Sequence, residues 1–364
     1  MYLYILFGIL AILAMLEIGN VRIRKFPHFY KFAYWYVIFF LLFLSSFRWE
    51  NGTDWISYLE YWNIFPDVTV EGYMEVGYTF LSSLTHWVWN NYTFHLSIMA
   101  FACILPVSFI IYRYCPYPFL GLLVWLSCYF AHIFPVRQTI AVSLIVFSFR
   151  YISRHEWFKY IICLALAFSF HYTSIVALPL YWIWNTYFTR RTLLLILCCT
   201  CGFSLLYSSL VSDIMFLLGG DFFNSQLQSY LEDNEGNTFG QLYTPQQVLI
   251  RGMMNRALLL VLGLFLLNGT RGTNRFFCGV FNVYVAGTLI FLLVVPLAVV
   301  GVRLCAYYDI AQIFILPFLF TLKMTKGNRI ILYMLVCCYL YIKLKGIIVN
   351  YQDLYIPYHF VLLK

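Results

Sequence analysis

Two arginines stand where apolar helices should begin. Arg137 follows Pro135 and Val136 at the first turn of RQTIAVSLIVFSFRYI, with Gln138 beside it. The free amides and aligned peptide dipoles of a helix start already present positive potential there. A cation at that position is electrostatically misplaced unless an anion joins it. Arg303 repeats the arrangement in VVGVRLCAYYDIAQIFILP, with Tyr307 one turn deeper at i+4, and Arg48, at the end of an earlier apolar run, is a third candidate. Guanidinium forks and free backbone amides both match phosphate oxygens, so the set suits a phosphate or pyrophosphate. For any one of these arginines the competing explanation is a side chain that snorkels to lipid headgroups.

His171 ends a hairpin that opens at His132, two apolar runs joined by a turn holding Arg150, Arg154, His155, Glu156 and Lys159. The hairpin returns His171 to the end where Arg137 sits. A neutral imidazole there could deprotonate or orient a hydroxyl, although a histidine at a helix end is often a hydrogen-bonded structural group. Between the second and third apolar runs, Asp54 and Tyr58 stand in GTDWxxY, and Glu75 stands in EGYxExGY. Carboxylates interleaved with Trp and Tyr suit sugar recognition, because acids bind hydroxyls and rings stack on apolar sugar faces. An aromatic belt at a membrane interface would explain the rings but not the acids. Asp54 and Glu75 are therefore stronger candidates than any single aromatic. Arg256 lies deep enough in a further apolar run to need a partner: Asp309, an outer-loop carboxylate or a ligand.

The elements that must position these groups are membrane spans. Of 364 residues, 63% are hydrophobic and 10% charged, and the mean hydropathy is +0.80, far outside the soluble range. The chain reads as one all-α, polytopic membrane domain over residues 1–364. Its expected spans, about twelve in number, lie near 2–20, 32–47, 95–112, 118–134, 136–153, 157–171, 173–188, 192–211, 246–268, 276–299, 303–321 and 328–347. The first run lacks a basic leader region and is followed by VRIRK, which marks a span rather than a cleaved signal. Most of the 23 Lys and Arg gather in turns on one side, and every acid except Glu17 and Glu156 falls on the other. By the positive-inside rule, both termini and two longer loops, 48–92 and 212–247, face outward. Residues 76–90 read as an amphipathic helix at the interface, and 212–247 as a polar lid or sugar-binding flap. The net charge of +8 is thus topology rather than a nucleic-acid footprint. The 11 cysteines lie in apolar runs or beside a basic turn, without metal-ligand spacing, and read as small buried hydrophobes.

Five stretches, RxxxGTDWxxYxxYW, ExGYxxL, PVRQTIAxSLIxxSxRYI, LAxxFHYTSIxALPLYW and RxxxYYDIAQIFILP, occur in this order over about residues 48–317. In them the chain resembles the EpsG family of Wzy-like polysaccharide polymerases. The resemblance implies a GT-C-like, metal-independent glycosyltransferase without cofactor, multi-pass in the bacterial inner membrane, with its site facing outward. Donor and acceptor would be undecaprenyl-pyrophosphate-linked oligosaccharides within the membrane lipid, with a chain-length regulator as a further partner. It also implies that Arg137, Gln138, Arg303 and Arg48 hold the pyrophosphate, and that His171, Asp54 and Glu75 align or activate the acceptor hydroxyl. Three rivals are weighed against this. A lipid-linked-oligosaccharide flippase should carry charge at mid-membrane rather than at the outer edge. A membrane acyltransferase should show a site on the cytoplasmic side, where the turns are short. A polysaccharide ligase shares the chemistry and stays open.

Overall fold

Helices make up nearly all of the computed structural model, which describes residues 2–19, 27–64, 74–186, 188–206, 245–270, 274–294 and 299–361. The second expected outer loop, apart from its last residues, and Glu71, Gly72 and Tyr73 of the EGYxExGY motif lie outside these residues. Among those described, five helices are long and apolar enough to cross a membrane, or six if one bent pair is a single span. The chain is therefore an all-α, multi-pass membrane protein.

The chain divides into two compact units, residues 1–178 with 316–364, and residues 179–315. The first unit contains α1 (Tyr2–Ile18), α2 (Pro27–Ser46), α3 (Trp55–Ile64), α4 (Val76–Val88), α5 (Tyr92–Tyr114), α6 (Pro118–Tyr129), α7 (Arg137–Ile152) and α8 (Trp157–Phe170). Its core surrounds α6, which is buried on every side from Pro118 to Ser127 and packs on α1 and α5. A helix apolar all round belongs in such a position. Glu17 of α1 is buried at 1% exposure, an expensive place for a carboxylate. It is satisfied at the start of α6, where it accepts from the Phe119 amide at 3.0 Å and from the Tyr30 hydroxyl. The carboxylate thereby caps one orphan amide and complements the helix dipole.

The second unit contains α9 (Leu180–Asn185), α10 (Arg190–Leu206), α11 (Pro245–Thr270), α12 (Arg275–Val294) and α13 (Val299–Asp309), with α12 at its centre. A further helix, α14 (Gln312–Leu319), follows a break after Asp309, and the pair is bent by 41°. The chain then continues through α15 (Lys326–Asn350) and α16 (Gln352–Tyr355), both in the first unit.

Two expected spans take a different form. Residues 173–188 are not one helix: a 3-10 turn, Tyr172–Ala177, leads through Pro179 into the short α9. Proline cannot donate to the preceding turn, so it starts the new helix instead of continuing the old one. Residues 303–321 are the bent pair just described. The sequence also gave no hint of a two-stranded ribbon, in which β1 (Arg48–Trp49) pairs antiparallel with β2 (His359–Phe360).

Candidate active site

The candidate site is built around the start of α7. Val136 is extended at the N-cap, and Thr139 ties the first turn down by accepting from the Val136 amide at 2.8 Å. Arg137 is then the first helical residue. Its backbone amide, one of the orphan donors of a helix start, donates to the Tyr58 hydroxyl at 3.1 Å, and its Nε donates to the same oxygen at 3.1 Å. The guanidinium also lies over the Tyr58 ring, 5.7 Å from its centroid. Tyr58 sits in α3, one turn after Asp54, whose carbonyl accepts the Tyr58 amide.

Glu75 is the N-cap of α4, and its carboxylate joins a guanidinium and an imidazole. Oε2 accepts from Arg137 Nη1, and Oε1 meets His171 Nδ1 at 2.8 Å. His171 ends α8 in an extended conformation, its amide still bonded to the Ala167 carbonyl. α4 approaches α8 closely enough because residue 77 is glycine. A Cβ there would stand 2.5 Å from Ser169 Oγ and 2.8 Å from the Ser169 backbone. Tyr58 also belongs to a buried cluster with Tyr78, Met99, Cys103 and Ile140.

Exposure separates the roles. The Glu75 side chain is 8% exposed, whereas Arg137 is 27% and His171 21% exposed. The guanidinium and the imidazole are thus the more accessible groups, and the carboxylate between them is the more buried one. Burial pushes the Glu75 carboxyl up, but its hydrogen bond to His171 and the charge of Arg137 outweigh this and hold it below its ordinary value. Burial raises the Tyr58 phenol against the opposing pull of Arg137, so it remains a neutral phenol at pH 7. With Nδ1 of His171 on Glu75, Nε2 is the nitrogen that can take a proton.

The other candidates take varied positions. Asp54 is exposed at the start of α3 with φ +57, and Gln138 is half-buried as the second residue of α7. Arg48 departs from expectation. It is only 3% exposed, donates from Nη2 to the Pro135 carbonyl at 3.1 Å, and lies 5.4 Å from the centroids of both Trp55 and Phe134. Its Nε and Nη1 are buried without hydrogen-bond partners. It is walled off by protein rather than presented to a ligand. Arg303, in the second unit, is half-buried and does not stand at a helix start as expected, because α13 already begins at Val299. Its amide is then one of the intrahelical donors. Tyr307 is fully buried. Arg256 pairs with Asp309 in the same unit and packs over the Phe291 ring at 3.9 Å, so a protein partner meets the need that its depth created.

A model of the EpsG family matches residues 31–360, a range that includes Asp54, Tyr58, Glu75, Arg137 and His171. Neither a curated protein nor a solved structure gives a match. Because the family match spans most of the sequence, the chain belongs to the EpsG family, which is associated with Wzy-like polysaccharide polymerases.

Proposed function

We propose that the protein polymerises a polysaccharide at the outer face of the bacterial inner membrane, moving a growing glycan from undecaprenyl pyrophosphate to the next lipid-linked repeat unit. The observation that carries this reading is the Glu75 carboxylate shared between Arg137 and His171. It fixes a cation and a proton acceptor side by side, with the more buried carboxylate between them.

In this reading a hydroxyl of the acceptor attacks the anomeric carbon of the donor. Its proton passes to His171 Nε2, and the bond from that carbon to the pyrophosphate oxygen breaks with its electron pair on the leaving group. Glu75 orients the imidazole and stabilises the imidazolium that forms, as a carboxylate behind a histidine base does elsewhere. Arg137, anchored through Nε and Nη1, stabilises the leaving charge where a metal ion acts in other transferases. The anchoring matters because a charge already in place needs no reorganisation when the bond breaks. Asp54, exposed beside Tyr58, would bind acceptor hydroxyls.

The test is glycan transfer between purified lipid-linked repeat units in proteoliposomes. His171→Ala should lower the rate by about 10²–10⁴, and Arg137→Ala by roughly 10²–10³. Near-normal polymer from both variants would remove this reading.

A further inference from the structure

The C-terminal segment is joined to the candidate site through a continuous set of contacts within the first unit. β2 pairs with β1, so that Arg48 lies opposite Phe360 and Trp49 opposite His359. The Val361 amide also donates to the Phe47 carbonyl at 3.0 Å. Asn51, 2% exposed, reaches across with both ends of its amide. Its Nδ2 donates to the Pro357 carbonyl at 2.9 Å, and its Oδ1 accepts from the His359 amide at 2.8 Å. The next amide, that of Gly52, donates to the Leu354 carbonyl at 2.9 Å.

From these residues two routes lead to the start of α7. Gly52, at φ +104, lies so close to Arg48 that a Cβ would stand 2.8 Å from Nη1, and Arg48 bonds the Pro135 carbonyl, two residues before Arg137. In parallel, the Tyr355 ring packs on Phe134 at 5.3 Å between centroids, and Phe134 is one of the two rings against Arg48. The linking loop is itself conformationally costly. Glu50 and Asp54, at φ +54 and +57, sit in the left-handed region that non-glycine residues seldom adopt, and Gly52, which tolerates it, lies between them.

We infer that residues 352–361 act as a strap that positions the site, with Asn51 and Arg48 as positioning residues that set the first turn of α7 and hence Arg137. Arg48 thus holds the chain before Arg137. The inference rests on the geometry of the first unit and stands apart from the transfer reaction.

Amide hydrogen exchange on the full-length protein in lipid nanodiscs tests it without any assay of activity. The reporters are the amide of Arg137, which is protected by the Tyr58 hydroxyl, that of Tyr58, and those inside α7 at 145–149. Asn51→Ala should raise exchange at Arg137 and Tyr58 by roughly tenfold or more while 145–149 keeps its protection. Arg48→Gln should reproduce this pattern with the ribbon amide of Val361 still protected, because that change acts downstream of the strap. If Asn51→Ala raised exchange only at 47–52 and 359–361, the contacts would be a local clamp and the inference would be overturned. A rise spread equally through 145–149 would also overturn it, since the segment would then staple the whole unit and not position the site.

Discussion

At the residue scale, the site depends on one carboxylate serving two partners. Because Glu75 is held below its ordinary value of 4.5, its interactions with Arg137 and His171 contribute stability that is present above that value and lost as pH falls through the lowered one. Thermal unfolding of wild type and Glu75→Gln should therefore differ at neutral pH and converge as the pH is taken below the carboxylate range. A gap that did not change with pH would mean that the ionised carboxylate adds nothing. Much of this site could be read from residue types alone, because a charge in so apolar a chain is conspicuous. Arg137, His171, Glu75 and Asp54 stood out for that reason. Arg48 did not separate from them, since an arginine at the end of a span reads the same whether it turns toward a ligand or inward. The ring of Trp55, together with Phe134 and Pro135, which are distant in sequence, surrounds it.

At the element scale, contact between α4 and α8 brings Glu75 to His171, and Gly77 permits that contact. Gly77→Val should force the helices apart and break the Glu75–His171 hydrogen bond. Transfer should then fall to the level of Glu75→Ala while the protein still inserts in the membrane. Activity like that of wild type would show that the close approach is dispensable. α4 itself was legible: residues 76–90 were expected as an amphipathic helix, and Val76–Val88 forms one, with Val76, Phe80, Leu84 and Trp87 exposed along one side. Other elements were not. Hydropathy reports that a stretch is apolar but not that it is broken, so the 3-10 turn before α9 and the break after Asp309 were read as continuous spans. The start of α13 was placed one turn late, at residue 303 rather than Val299, and that put Arg303 at a helix start it does not occupy.

At the scale of the whole molecule, the all-α, multi-pass class was legible because the bilayer fixes the length and hydropathy of its helices, and of about twelve expected spans five or six helices among the described residues are long and apolar enough to cross. Contacts across hundreds of residues were not, and the ribbon between residues 48–49 and 359–360 is one of them. In the second unit, the Arg256–Asp309 pair makes a separate case for how charge is accommodated among apolar helices. Replacing Arg256 by Met should cost up to about 3 kcal/mol, because it leaves the half-buried Asp309 unpaired. The double change Arg256→Met with Asp309→Leu should recover much of that loss. Equal losses from single and double changes in chemical denaturation would assign the cost to lost packing on Phe291 instead.

The central claim is that Glu75 and His171 act as one unit, and a double-mutant cycle on glycan transfer in proteoliposomes tests it most directly. Glu75→Gln, His171→Asn and the two together are compared with wild type at saturating lipid-linked substrate. If Glu75 works through His171, the double variant should be no slower than the slower single variant, the non-additivity expected of residues that act as a unit. Losses that simply multiply, or a Glu75→Gln variant as fast as wild type, would contradict the claim.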